Sequence, residues 1–275
     1  MTNVTTVIAE CDAGISNRVR ALMFFMYYTQ WKYNGAKLKF VWDVNDACPG
    51  RFLDLFSPLP HVEFISSVEA RQLETSPGVL RFRNTYKTVH QLTSHFKTPV
   101  GDKGILHRYL PDIALTTRVL RQVEAFVREH NICGACSTHV RRTDLKAQLA
   151  EGRSETYMTL FGAIEKHCSG MPVFLATDNA ETQRIFLRHY EHDHVVVPRA
   201  FVFRMIDGEK AAATIASGTV SSEFRHTDLE TSIIDLYILS YAKHFRETMH
   251  SSYSEWARWL HHRQAKLPSI CEAKP

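Results

Sequence analysis

The chain opens on the stretch Val4-Thr-Thr-Val-Ile-Ala-Glu-Cys-Asp-Ala-Gly-Ile-Ser-Asn-Arg-Val-Arg-Ala-Leu22. An apolar run up to Ala9 is followed by a turn at Gly14, and after Ser16 apolar residues recur at the three- and four-residue spacing of a helix. The run Lys37-Leu-Lys-Phe-Val-Trp42 then alternates into a second apolar segment. A strand, a turn, a helix and a second strand in this order predict a parallel α/β sheet.

A second series of the same kind begins near Asn131. It is predicted to alternate strands and helices over residues 136–141, 155–167, 172–176, 180–190 and 195–198. The segment before it, Pro111 to His130, has an amphipathic pattern that predicts one long helix. We therefore expect an α/β protein of two Rossmann-like domains, residues 1–130 and 131–275, facing a central cleft in which a ligand binds.

Composition restricts the function classes. The chain has 275 residues, of which 44% are hydrophobic and 23% charged, which is typical of a globular protein and excludes a disordered one. The net charge of +4 is too diffuse to indicate a nucleic-acid partner. No apolar run approaches the roughly 20 residues of a spanning helix, and the N-terminus does not resemble a secretory signal. We accordingly expect a cytoplasmic protein without a transmembrane segment, with its six cysteines reduced.

Two adjacent guanidiniums follow the first strand of the second half. The run His139-Val140-Arg141-Arg142-Thr143-Asp144 places them at a strand end, where a cleft-facing arginine suits a phosphate group. Pairing of an arginine with Asp144 to brace a loop would produce the same pattern. A second strand ends in Thr177-Asp178, where the side chains either face the crevice or cap the next helix.

Two further segments contain groups that could bind an anion. Ser251 and Ser252 precede a helix, so hydroxyls and free N–H groups could hold a phosphate, although an ordinary helix cap has the same sequence. Gly14, Asn17 and Arg18 begin the first helix at the predicted cleft. The spacings of a dinucleotide fingerprint and of a P-loop do not occur there.

Taken in this order, the four segments resemble the α-1,2/α-1,6/protein-O-fucosyltransferase superfamily. The run 139–144 has the form of the donor motif of core α-1,6-fucosyltransferases, and Leu175 to Asp178 and Asp235 to Ser252 resemble two more of the family's motifs. The resemblance covers residues 136 to about 260 and the first 60. Residues 66–130 match no motif.

The resemblance implies a GT-B architecture with an acceptor-side first domain and a donor-binding second domain. It implies inverting, metal-independent transfer from a GDP-sugar, with L-fucose the expected sugar and a glycan hydroxyl the acceptor, and no cofactor. Arg141 would clamp the β-phosphate, Arg142 would support it, and His139 and Asp178 would hold the guanine. The remaining donor-binding candidates are Thr177, Ser251, Ser252, Gly14, Asn17 and Arg18.

The general base is not determined by the motif. The α-1,6 enzymes have Lys and Glu shortly after the Arg-Arg pair, whereas the aligned positions here are Leu145 and Leu149. Glu151, Asp144 and Glu155 are the candidates that remain. Two other interpretations stay open: an enzyme of this fold with another nucleotide-sugar donor, or a nucleotide- or glycan-binding module without catalysis. The acceptor, the linkage and the oligomeric state are also open.

The Cys133-Gly-Ala-Cys136 spacing is an alternative signal for zinc. A structural zinc site needs four ligands, and a second pair at comparable spacing does not follow. We therefore expect no metal site.

Overall fold

The computed structural model divides into two compact units, residues 1–116 and 117–275. It describes residues 4–45, 47–83, 92, 95–140, 156–168, 170–177, 180–192, 201–202, 228–248, 251–264 and 270. No helix among these residues is long and apolar enough to cross a membrane.

The first unit contains a four-stranded parallel sheet in the order β3-β2-β1-β4. Its elements are β1 (Thr6–Glu10), α1 (Ile15–Lys32), β2 (Lys37–Val41), α2 (Phe52–Leu55), β3 (Val62–Ile65), α3 (Ser67–Leu73), β4 (Val79–Phe82) and α4 (Asp102–Tyr109). Val7, Ile8 and Ala9 of the central strand β1 are fully buried, as expected for a parallel strand covered on both faces. The predicted opening of strand, turn, helix and strand is confirmed.

The second unit has a sheet of the same form, with all strands parallel in the order β7-β6-β5-β8. Its elements are α5 (Thr117–Glu129), β5 (Cys136–Val140), α6 (Tyr157–Cys168), β6 (Val173–Thr177), α7 (Ala180–His192), β7 (Phe201–Val202), α8 (Leu229–Tyr241), β8 (His244–Arg246) and α9 (Ser252–Gln264). Every residue of β5 and of β6 is buried. The predicted strand over 195–198 lies outside the described residues, and the nearby strand is β7.

The helix predicted from Pro111 to His130 is confirmed from Thr117 to Glu129, and its first part is wrong. A 3-10 turn covers Leu110–Asp112, and α5 begins only at Thr117. The segment between them pairs with the end of α2: Ser57 N–H donates to the Ala114 carbonyl at 2.8 Å, and Thr116 N–H donates to the Leu55 carbonyl at 3.0 Å. These long-range bonds hold the segment extended and interrupt the helix.

The division between the units comes before α5, not at Asn131 as expected. Arg118 of α5 forms a bidentate ion pair with Glu230 of α8, with N–O distances of 2.5 and 2.8 Å. Phe126 of α5 lies against Phe174 of β6, with ring centroids 5.7 Å apart. The helix therefore packs within the second unit.

A disulfide between Cys136 and Cys168 joins β5 to α6. Cys133 is also disulfide-bonded, whereas Cys11 and Cys48 are free and buried. Burial raises the pKa of the Cys11 thiol to about 12, which keeps it protonated and unreactive. The expectation that all six cysteines are reduced is therefore wrong for Cys136 and Cys168, and the cytoplasmic location stays a prediction.

Candidate functional site

His139 lies at the carboxyl end of β5, one residue before the strand's last residue. It is 5% exposed, and its Nδ1 lies 2.7 Å from the hydroxyl of Ser254 in α9. The ring of Tyr253 packs against the imidazole with centroids 4.6 Å apart. Position and orientation of the imidazole are thus determined by the first turn of α9.

Two further hydrogen bonds connect His139 and Ser254 to the segment between β8 and α9. The Thr248 hydroxyl donates to the His139 carbonyl, and the Thr248 N–H donates to the Ser254 hydroxyl oxygen at 3.2 Å. The Ser254 hydroxyl donates to His139 Nδ1 or accepts from it according to the tautomer of the imidazole. The network ties the end of β5 to two later segments of the chain.

Ser251 caps α9. Its hydroxyl oxygen accepts the Ser254 N–H at 3.3 Å, and its carbonyl accepts the Glu255 N–H at 2.9 Å. Residue Ser251 is 7% exposed. Ser252, the first residue of the helix, is half-buried. The capping interpretation of this run is correct for Ser251, and a phosphate contact by either serine remains a prediction.

Thr177 ends β6, beside β5. The strand register pairs Val140 with Thr177 and His139 with Ala176, so Thr177 and His139 lie at the same edge of the second sheet. Parallel strands place ligand-binding residues at this carboxyl edge. His139 and Thr177 therefore lie at one edge of the second sheet, with the start of α9 against His139, and their part in donor binding stays a prediction.

The residues to which the resemblance assigns the chemistry lie outside the described residues. They are Arg141, Arg142, Asp144, Glu151, Glu155 and Asp178. Arg141 follows Val140, the last residue of β5, directly in the chain.

Gly14, Asn17 and Arg18 meet at the turn between β1 and α1 in the first unit. Gly14 is the N-cap of α1 with φ −63° and ψ 163°, a conformation open to any residue. The Asn17 side-chain oxygen accepts from Arg20 at 3.1 Å.

Arg18 is only 1% exposed. Its guanidinium donates to the Ala13 carbonyl at 2.7 Å, to the Asp43 carbonyl at 2.5 Å and to the Asn45 side-chain oxygen at 2.9 Å, and it lies over the Trp42 ring. The side chain therefore joins the loops after β1 and β2. We expected a donor-binding residue here, and the geometry makes Arg18 a positioning residue for these loops.

A polar cavity of about 340 Å³ opens at the carboxyl edge of the first sheet. Sequence analysis assigned no role to its lining residues, which are Glu10, Asp12, Asp43, Ser67, Arg71, Arg81 and Arg83. They come from four separate segments. The sheet order brings the ends of β1, β2 and β4 together with α3, and no local pattern indicates this.

The chain was compared with proteins of known family and structure. No family model matches it, and no curated protein matches it in sequence. The structure of the α-1,6-fucosyltransferase NodZ soaked with GDP-fucose is similar, with a TM-score of 0.54 at 18% identity, over 94% of this chain and 92% of that one. The fucosyltransferase NodZ from Bradyrhizobium has a TM-score of 0.57 at 16% identity, over 94% and 93%.

The structure of POFUT1 in complex with GDP is similar over 98% of this chain and 97% of that one, with a TM-score of 0.51 at 12% identity. The chain has the fold of these fucosyltransferases. The α/β, GT-B class predicted from the motifs is thereby confirmed, with one Rossmann-like sheet in each unit.

Proposed function

We propose that the chain is an inverting, metal-independent glycosyltransferase that transfers L-fucose from GDP-fucose to a hydroxyl group of a glycan. The observation that carries the proposal is the fold, which the chain has in common with an α-1,6-fucosyltransferase soaked with GDP-fucose over nearly its whole length. The Arg-Arg motif supports it, because it follows β5 at the carboxyl edge of the second sheet.

In the proposed reaction, the acceptor oxygen bonds to the anomeric carbon of fucose while the bond from that carbon to the β-phosphate oxygen breaks. GDP leaves with the bonding pair. A bidentate arginine stabilises the negative charge that develops on the phosphate, and we assign this role to Arg141 with support from Arg142. Glu151, Asp144 or Glu155 accepts the proton of the acceptor hydroxyl.

Donor binding is assigned to the edge of the second sheet. His139 and Asp178 hold the guanine, and Thr177, Ser251 and Ser252 contact the nucleotide. The buried contact of His139 with Ser254 supports its part, since it holds the imidazole in one orientation before the ligand arrives. Gly14, Asn17 and Arg18 shape the loop between β1 and α1 of the first unit.

The first test is nucleotide selectivity. GDP should raise the melting temperature because it binds the folded chain, whereas UDP and dTDP should not. Stabilisation by UDP alone would overturn the guanine assignment and favour a different nucleotide-sugar donor.

The second test is Arg141→Ala, with Arg128→Ala as the matched control because Arg128 is exposed on α5. We expect Arg141→Ala to lower fucose transfer by at least about 100-fold while the circular dichroism spectrum is unchanged, as for the loss of other groups that stabilise developing charge. Wild-type turnover in Arg141→Ala would contradict the assignment.

A binding module without catalysis is the second candidate, and Leu145 and Leu149 favour it because they stand where the α-1,6 enzymes have Lys and Glu. This candidate predicts a GDP-induced shift with neither hydrolysis nor transfer of GDP-fucose. Turnover of the donor by the purified wild-type chain would exclude it.

A further inference from the structure

The cavity of the first unit is lined entirely by polar or charged residues. Glu10 and Asp12 come from the end of β1, Asp43 from the segment after β2, and Arg81 and Arg83 from the end of β4. An aromatic or aliphatic lining residue, against which a nucleobase or a lipid would pack, does not occur among the described residues of the cavity. Its volume of about 340 Å³ suits a small hydroxyl-rich molecule.

One side of the cavity has more guanidinium groups than carboxylates. The buried Arg81 donates to Glu10 at 2.7 Å and to Glu74 at 2.9 Å. Arg83 donates to the same Glu74 oxygen at 2.5 Å, so one carboxylate is shared by two guanidiniums. These charges and hydrogen bonds outweigh the effect of burial and lower the pKa of Glu74.

Arg71 of α3 adds a third guanidinium. Its Nε donates to the Ser67 carbonyl at 3.3 Å, and among the residues that the structure describes no carboxylate is within ion-pair distance of it. The side chain is exposed. The lining as a whole has three arginines and three carboxylates, those of Glu10, Asp12 and Asp43. Because Arg71 has no carboxylate partner among the described residues, its guanidinium can bind an oxyanion.

The other side of the cavity contains carboxylates that suit hydroxyl groups. Asp43 Oδ1 accepts the Ser67 N–H at 3.0 Å, so its charge is partly compensated at the start of α3. Asp12 is exposed to water, and its carboxylate does not require a cationic partner. Carboxylate oxygens accept hydrogen bonds from ligand hydroxyls without a change of charge.

We propose that this cavity binds a sugar that carries one oxyanion, a carboxylate, sulfate or phosphate, with its hydroxyls on Asp12 and Asp43 and its oxyanion on Arg71. Arg71 is then the residue that determines specificity for the charged sugar. The binding itself is independent of transfer. A role of this sugar as the acceptor would in addition rest on the proposed function.

The test compares three probes that differ in charge: methyl β-D-glucuronide, methyl β-D-glucoside and methyl β-D-glucosaminide. Affinities are measured by isothermal titration and by saturation-transfer NMR on the full chain. We expect the glucuronide to bind about three- to tenfold more tightly than the neutral glucoside, the range for a charge-assisted contact to an exposed arginine. Arg71→Ala should abolish this preference, and Arg51→Ala, an exposed arginine outside the cavity, should retain it.

Two further arms identify the source of the oxyanion. Binding of glucose 6-sulfate and glucose 6-phosphate shows whether a sulfate or a phosphate can replace the carboxylate of the sugar. Comparison with inorganic sulfate shows whether the sugar hydroxyls contribute to the affinity. Sulfate that binds as tightly as glucose 6-sulfate would overturn the sugar part of the proposal.

Equal affinity for glucuronide and glucoside, tighter binding of the glucosaminide, or a preference that survives in Arg71→Ala would each overturn the proposal. The melting-temperature shift with GDP is measured on the same samples. A wild-type chain that prefers the glucuronide but is not stabilised by GDP would overturn the proposed donor and leave this site intact. A chain that is stabilised by GDP but does not prefer the glucuronide would overturn this site and leave the proposed donor intact.

Discussion

Arg18 is a charged residue that is almost completely buried. Its three hydrogen bonds join the loop after β1 to the loop after β2, and the Trp42 ring covers the guanidinium at 5.3 Å. Removal of the side chain would take the guanidinium donor from two half-buried backbone carbonyls, and the Asn45 side-chain oxygen would keep only the Cys48 N–H. The Arg18 guanidinium therefore stabilises the loop after β1 and the loop after β2.

We predict that Arg18→Ala lowers the free energy of unfolding by more than about 3 kcal/mol, because a fully buried side chain and its three hydrogen bonds are lost together. Arg18→Lys should be nearly as unstable, since an ammonium group cannot reach three acceptors in the directions of a guanidinium. Urea denaturation measures the effect, and the exposed Arg51→Ala is the control. An unchanged urea midpoint together with weakened GDP binding would mean that Arg18 contacts the ligand directly.

At the level of elements, the core of the second unit depends on β5 and its link to α6. Cys136 of β5 and Cys168 of α6 are both fully buried and lie in one apolar cluster with Leu160, Ile164 and Phe186. The disulfide closes a segment of 32 residues. This segment includes the Arg-Arg motif, so the bond restricts the stretch on which the proposed chemistry depends.

We predict that the double variant Cys136→Ala/Cys168→Ala loses about 3–4 kcal/mol of unfolding free energy, the chain-entropy value for a loop of this length. The matched control is Cys48→Ala, which removes a buried sulfur that forms no disulfide. Urea midpoints are compared, and alkylation of the unreduced, denatured wild-type chain identifies the free thiols. Alkylation at Cys136 or Cys168 would contradict the disulfide.

For the whole molecule, the dependence of stability on pH is set partly by histidines. The chain has 15 of them, and four lie near one another in the second unit: His167 and His244 have ring centroids 6.0 Å apart, and His261 and His262 are 5.9 Å apart. Burial lowers the pKa of His167, and the charges of His244 and Arg246 add to the effect. Burial also lowers the pKa of His261, with His262 and His244 adding to it and the Ser240 carbonyl opposing it.

A lowered pKa means that the unfolded chain binds protons more readily than the folded chain. The stability from neutral His167 and His261 is therefore complete above the ordinary pKa of 6.5 and is lost as the pH falls below it. We predict that the melting temperature decreases between pH 7.5 and pH 5.5, and that His261→Gln reduces this decrease. His130→Gln, at the end of α5, is the control, and equal slopes for both variants would contradict the assignment.

Local sequence patterns were sufficient for the central elements. β1 and β6 were predicted from their apolar runs, β2 from its alternation and α1 from its regular helix spacing, whereas β5, with Ser, Thr and His at its centre, was predicted from its place after Asn131. The edge strand β4 was missed, since its residues are half-buried and its pattern is weaker. The segment 113–116 was predicted as helix because its residues suit one, and its pairing with α2 is not visible along the chain.

For the candidate site, too, the sequence predicted only what depends on neighbouring residues. A strand end is a local feature, so the places of His139 and Thr177 at one edge of a sheet followed from the run of residues around each of them. Ser254 was not assigned a role, because its contact with His139 joins positions 115 residues apart. The burial of Arg18, the pairing of Cys136 with Cys168 and the cavity around Arg71 likewise depend on distances between segments that are remote in sequence.

The amino-acid sequence therefore specified the α/β class, the two similar halves and the motif that indicates a GDP-sugar, because periodicity and short motifs act over a few residues. The folded chain was needed to show which charges are buried, which cysteines are joined and which side chains line a cavity. These properties depend on how strands are ordered in a sheet, and β1 lies between β2 and β4 although β4 begins almost 70 residues after β1 ends.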